Sequence, residues 1–144
     1  MERTKKIVII DASVVTKWFV EETNTKKALQ IREDYRRNMI DLRSSQLMPF
    51  EVLNALRHNP ELGQKEIERA GDAISRYQIA LYPLQGELIP LCIGTALKYG
   101  LTIYDASYVS LSQFLVKALF TADEKLLSKT KDLGMVHSLK EYPG

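Results

Sequence analysis

Four acidic residues, Asp11, Glu51, Asp105 and Asp123, stand in settings where a carboxylate can do chemistry. Asp11 closes the apolar run Ile7-Val8-Ile9-Ile10 and is followed by Ala12-Ser13. Glu51 interrupts a largely apolar stretch over 47–56, three residues before Asn54. Asp105 lies in Tyr104-Asp105-Ala106-Ser107, and Asp123 in Thr121-Ala122-Asp123-Glu124. Brought to one place, these carboxylates repel one another and need a cation to compensate. Their donors are all oxygen, which suits Mg2+ or Mn2+ and not zinc. A divalent ion in such a cluster activates a water and neutralises charge building up on a phosphate. It also lets a polyanion such as a nucleic acid approach.

Each acid has a plainer explanation as well. Asp11 ends a strand and opens a turn. Asp105 caps a helix or complements its dipole. Thr121 and Glu124 have the spacing of a capping box, which leaves Asp123 without a task. Glu51 is harder to dismiss, because a carboxylate in an apolar helix is costly unless it is paired or bound to a cation. Singly, each aspartate reads better as structure; the four together read better as a shared site.

The elements that must gather them follow from hydrophobic pattern. Residues 7–10 are β-branched and continuously apolar, as in a strand buried on both faces of a parallel sheet. Asp11 then sits at its C-terminal end, with Ser13 capping a short helix over 14–19. A surface helix starts at Asn24 or Thr25 and runs through Tyr35. A polar break over 41–46 holds a short extended piece. From about Pro49 a helix runs to His58, apolar round most of its circumference, with Glu51, Asn54 and His58 on one narrow stripe. That pattern predicts a mostly buried helix whose polar stripe faces something polar. Asn59-Pro60 ends it. An amphipathic helix over 65–78 leads to a strand over 79–84, limited in its pairing by Pro83. A helix over 88–99 stops at Gly100, and another follows Asp105 through Ser112. Residues 114–120 read as a second buried strand, ending at Thr121-Ala122-Asp123. A helix over 124–129 and a short strand at 135–136 close the chain. Alternating helices and short apolar strands predict an α/β sandwich with a central, mostly parallel sheet. Ligands of such folds bind beyond the C-terminal ends of the strands, where Asp11 and Asp123 fall. With no repeat, linker or low-complexity tract, residues 1–144 read as a single domain.

The motifs Ile10-Asp11-Ala12-Ser13, Glu51-x-x-Asn54, Tyr104-Asp105-Ala106-Ser107-Tyr108-Val109 and Thr121-Ala122-Asp123-Glu124-Lys125-Leu126 occur in the order found in the PIN-domain ribonucleases. In length and motif spacing the whole chain resembles the VapC-type toxins of toxin–antitoxin pairs. The resemblance implies a PIN-like three-layer α/β/α sandwich with the acids at one edge of the sheet. It implies a Mg2+- or Mn2+-dependent endoribonuclease, with Asp11 and Asp105 as direct metal ligands. Glu51 and Asp123 complete the site, partly through water. It assigns supporting roles to Ser13, Asn54 and Thr121, and it implies a homodimer and a small antitoxin whose tail blocks the site. No acidic position of the pattern is missing, so the resemblance implies an active enzyme.

The bulk numbers bound this reading. Apolar content of 45% and charged content of 26% are ordinary for a soluble globular chain and exclude disorder. A net charge of +2 neither requires nor excludes nucleic-acid binding. The single cysteine, Cys92, forms no internal disulfide and reads as core. Only four apolar residues follow the opening Met-Glu-Arg-Thr-Lys-Lys, too few for a signal peptide, so a cytoplasmic location is expected. Lys17, Arg43, Arg57 and Lys125 read as surface charge first and phosphate contacts second. Trp18 and Tyr108 read as packing before base stacking. His58 and His137 are not obvious general bases. The competing readings are a PIN nuclease of RNA processing without an antitoxin, a non-catalytic metal-binding regulatory module, and a nuclease acting on DNA. A phosphoryl-accepting receiver ranks below these, because Asp11 is not followed by the second acid it needs.

Overall fold

The computed structural model describes residues 5–144; the first four residues of the N-terminal segment weighed above lie outside it. Five strands form one sheet: β1 Lys6–Ile10, β2 Ile40–Ser45, β3 Ala80–Tyr82, β4 Leu119–Thr121 and β5 Val136–Ser138. Their order is β3-β2-β1-β4-β5 and every pairing is parallel. The continuous apolar run of β1 takes the central place its pattern demands, with Val8, Ile9 and Ile10 buried. Because all strands point the same way, Ile10, Ser45, Tyr82 and Thr121 end at one edge. The order also reverses at β1: β2 and β3 build outward on one side, β4 and β5 on the other. The crevice between the C-terminal ends of β1 and β4 is therefore the topological switch point of the sheet.

Among the described residues seven helices complete a three-layer α/β/α arrangement: α1 Ala12–Thr16, α2 Thr25–Arg36, α3 Met48–Arg57, α4 Gln64–Tyr77, α5 Leu88–Tyr99, α6 Ile103–Leu115 and α7 Glu124–Lys129. Helix α6 lies along β1, β2 and β4 and packs against α5; α2 packs on β2, and α1, α3 and α4 pack in succession. The core runs from Val8, Ile9, Ile10, Leu42 and Leu119 of the sheet into Val14, Ile31, Val52, Val109 and Leu126 of the helices. Cys92 is buried, as its apolar neighbours predict. Among the described residues no helix is long and apolar enough to cross a membrane.

Four local expectations are corrected. Helix α1 is shorter than predicted and gives way to a turn after Thr16. Residues 114–120 are not one strand: α6 continues to Leu115, Val116 turns the chain in the left-handed conformation, and β4 begins at Leu119. Short apolar runs do not distinguish a helix end from a strand by periodicity. Helix α3 buries only one face, through Met48, Val52 and Leu56, while Phe50 is 74% exposed. Finally, the caps are reassigned. Asp11, not Ser13, caps α1; Thr102, not Asp105, caps α6; and Asp123, not Thr121, caps α7, so Thr121 and Glu124 form no capping box.

Candidate metal centre

Asp11 leaves β1 in an extended conformation and caps α1. Its carboxylate is held from both sides. Oδ1 accepts the Ser13 hydroxyl at 2.5 Å and the Ser13 amide at 3.1 Å; Oδ2 accepts the Thr121 hydroxyl at 2.5 Å. Each hydroxyl is in turn fixed by a backbone amide of the β4–α7 turn. Ala122 N–H donates to Ser13 Oγ at 2.9 Å, and Asp123 N–H donates to Thr121 Oγ1 at 3.0 Å. Both hydroxyls thus donate to Asp11 and accept from the β4–α7 turn, so their proton positions follow from the network. Asp11 is only 5% exposed. Burial pushes its carboxyl up to about 6 against the lowering effect of these hydrogen bonds, and the charge of Asp123 pushes the same way.

Asp123 is fixed by its capping role: Oδ1 accepts Lys125 N–H at 3.0 Å and Leu126 N–H at 3.1 Å. Oδ2 has no hydrogen-bond partner among the described residues. Asp105 lies in the first turn of α6, where its backbone N–H donates to Thr102 Oγ1 at 3.0 Å. Burial raises the Asp105 carboxyl above its usual range and Asp123 adds to the rise, while Lys129 and the Thr102 hydroxyl oppose it. Glu51, in the first turn of α3, accepts the Tyr108 hydroxyl. Burial raises its carboxyl too; the Tyr108 bond offsets part of this, and the charge of Asp105 adds to it. The acids therefore form a chain of mutual repulsion, Asp11 with Asp123, Asp123 with Asp105, and Asp105 with Glu51. The predicted acids share the C-terminal edge of the sheet and the helix starts next to it.

Asn54 stays outside this hydrogen-bonded cluster. It is exposed one turn from Glu51, in a shallow groove shared with Leu47, Phe50 and Tyr104. Its carbonyl is met by His58 Nδ1 at 2.8 Å, while His137 pairs with Glu141 and stacks on Phe120. Several basic residues are already engaged. Lys17 is largely buried beside Glu22 at 3.5 Å, and Arg43 contacts Asp41 at 3.1 Å and the Tyr82 hydroxyl at 2.6 Å. Arg57 lines a groove between α3 and α4, and Lys125 is exposed on α7. Trp18 is packing: its indole N–H donates to Ala28 O at 2.8 Å and its ring meets Tyr77 edge-on. Tyr108 is neither a base platform nor simple core, since its hydroxyl lies among Glu51, Asp11 and Asp105. Its place three residues after Asp105 on α6, hence on the same helix face, was the available signal.

Among the described residues no three His, Cys, Asp or Glu side chains stand close enough to form a ready-made metal cage. The donor chemistry nonetheless fits a hard divalent ion. Magnesium keeps most of its waters and takes one or two carboxylates directly, so it does not need a closed cage. The mutual repulsion of the four acids, opposed at Asp105 by Lys129 and Thr102, is what such a cation relieves.

Comparison with known proteins bears on the fold and the family. The PIN domain family profile matches residues 8–133. Ribonuclease VapC3 of Pyrobaculum aerophilum is 25% identical over 126 residues, which cover 85% of this chain and 93% of that protein. The crystal structure of PAE2754 from Pyrobaculum aerophilum superposes with a TM-score of 0.63 at 23% identity, over 95% of this chain and 93% of that one. FitAB bound to an IR36 DNA fragment gives 0.69 at 11% identity, over 95% and 98%. FitAcB from Neisseria gonorrhoeae gives 0.66 at 11% identity, over 93% and 99%. At these identities the solved structures speak for the fold.

Proposed function

Because the chain belongs to the PIN domain family, we propose that it is a metal-dependent endoribonuclease of one domain, the toxin of a toxin–antitoxin pair. The observation that carries this reading is the acid chain at the switch point. A buried aspartate is clamped by two hydroxyls, and three further carboxylates beside it lack enough positive charge to balance them.

In this reading Asp11 and Asp105 hold Mg2+ or Mn2+ directly, and Glu51 and Asp123 complete the site, partly through water. When bound, the ion lowers the pKa of a water and offsets charge at the scissile phosphate. Ser13 and Thr121 hold both oxygens of Asp11 and counter the burial that favours its neutral form. The α7 cap fixes one oxygen of Asp123 and leaves the other without a hydrogen bond among the described residues. Hydrolysis breaks one phosphodiester P–O bond, with water supplying hydroxyl to phosphorus and a proton to the leaving oxygen.

RNA as substrate rests on the ribonuclease relative. A protein partner is supported by the groove between α3 and α4, where Phe50, Leu53, Leu62 and Ile67 present apolar surface. A helix or tail of a small antitoxin fits such a groove. A cytoplasmic location and a homodimer belong to the same reading.

The test is cleavage of mixed RNA and DNA substrates by purified protein with Mg2+ or Mn2+, with and without a chelator. RNA cleavage that requires the ion and disappears in Asp11→Asn and Asp105→Asn is expected. An ion-dependent activity confined to DNA would replace the substrate, and no cleavage under any of these conditions would favour a binding module.

A further inference from the structure

Tyr108 is 2% exposed, yet its hydroxyl does not point into core: it donates to Glu51 Oε1. The two residues come from helices that otherwise touch little, since α3 packs on α1 and α4 while α6 packs on α5 and the sheet. A second polar bond lies beside the first. Ser107 Oγ donates to Tyr104 O at 2.6 Å and accepts from Ser45 Oγ at 2.9 Å, while Ser45 Oγ accepts Leu47 N–H at 3.2 Å just before α3 begins. The start of α3 and the second turn of α6 are thus joined through two hydroxyl bonds, and only one of them reaches an acid of the cluster. Glu51 Oε2 has no hydrogen-bond partner among the described residues.

We propose that Tyr108 is a positioning residue for the metal centre, holding Glu51 through Oε1 so that Oε2 is presented to the divalent ion. The assignment rests on the metal-dependent reading above. Without the hydroxyl, a half-buried glutamate on α3 repelled by Asp105 has no bond that keeps it at the cluster, and it swings toward water. The phenol suits this task because its ring is held in the core and its single O–H is spent on Glu51 Oε1. Partners that orient metal ligands in this way contribute about 10- to 100-fold to metal affinity.

The test is a double-mutant cycle on Mn2+ affinity, measured by titration calorimetry or water-proton relaxation on the full chain. Tyr108→Phe keeps the ring and removes only the hydroxyl. Its Mn2+ dissociation constant is expected to rise by about tenfold or more, with kcat on RNA falling and KM little changed. In a Glu51→Gln background the same substitution is expected to have almost no further effect, because there is no carboxylate left to position. Wild-type Mn2+ affinity in Tyr108→Phe, or losses that simply add in the double variant, would overturn the assignment. If wild type binds no Mn2+ and cuts no RNA, the metal-dependent reading falls and this one with it. If wild type does both and Tyr108→Phe is unchanged, only the role of Tyr108 falls. Should Tyr108→Phe fail to fold, the 13Cζ signal of Tyr108 in tyrosine-labelled wild type reports the bond directly. It is expected to shift on Glu51→Gln in the metal-free protein, and a signal that stays put would count against the bond.

Discussion

Asp11 sits in the most costly place a carboxylate occupies in this chain, and that cost sets a pH dependence. Its folded-state value of about 6 lies above the ordinary 3.8, so the fold favours the neutral form. Its contribution to stability is therefore full below pH 4 and is lost as pH rises through 6. A shift of this size corresponds to about 3 kcal/mol, and Glu51 and Asp105 shift in the same direction. Chelated wild-type protein is expected to show a falling urea midpoint between pH 4 and 7. Asp11→Asn should flatten most of that slope and raise the midpoint at pH 7 while abolishing cleavage. A flat wild-type profile would show that Asp11 is not held as described. Thr121 sharpens the argument. Thr121→Val removes the donor to Asp11 Oδ2 and the acceptor of Asp123 N–H together. Activity should fall about 10- to 100-fold, with about 1–3 kcal/mol lost from leaving polar groups unpaired. Thr121→Ser should retain most of both, and equal losses in the two variants would point to the methyl group instead. At this scale the acids were legible because their settings were odd: a charge closing an apolar strand, a charge inside an apolar helix. Tyr108 was not, because an aromatic residue at helical spacing has core as its ordinary explanation. The Thr121–Glu124 spacing misled because a capping box is defined by spacing alone, whereas Thr121 belongs to β4 and turns its hydroxyl to Asp11.

Helix ends show where element boundaries were readable and where they were not. Gly100 announces the end of α5, and it adopts the left-handed conformation there, with φ 65°. Val116 performs the same turn at the end of α6 with φ 55°. A β-branched residue gives no stop signal, so the run from Phe114 to Phe120 looks like one long strand. The conformation is also strained, since a left-handed turn costs about 1–2 kcal/mol for residues carrying a Cβ. Val116 is 73% exposed and loses little packing if shortened. Val116→Gly is therefore expected to stabilise the protein by about 1 kcal/mol, after the larger unfolded-state entropy of glycine is deducted. A lower urea midpoint for this variant would mean that Val116 makes contacts worth more than its strain. Helix α3 carries the opposite lesson. Its largely apolar circumference predicted a mostly buried helix, but hydrophobic residues also line surfaces that bind partners. Phe50 is exposed on such a surface, and sequence alone does not separate the two fates.

At the scale of the whole molecule, alternating helices and strands announced a parallel sheet, but not the order β3-β2-β1-β4-β5. That order depends on which strands pair across long connections, and it is what creates the switch point that brings Asp11 to Thr121. The same scale decides the quaternary expectation. Helix α5 carries Ile89, Ile93 and Leu97 at four-residue spacing, which places them on one face, and all three are exposed, Leu97 to 81%. Among the described residues nothing covers this apolar stripe, although α5 is already packed against α6. A second copy covers it most simply, because a two-fold axis lets the same stripe meet itself. Charge repulsion then offers a clean probe. Leu97→Glu sets two carboxylates against each other across the axis while removing almost no packing within one chain. Sedimentation of wild type at micromolar concentration is expected to give a dimer, and of Leu97→Glu a monomer with an unchanged circular dichroism spectrum. A wild type that sediments as a monomer, or a variant that remains dimeric, would move the interface away from this stripe.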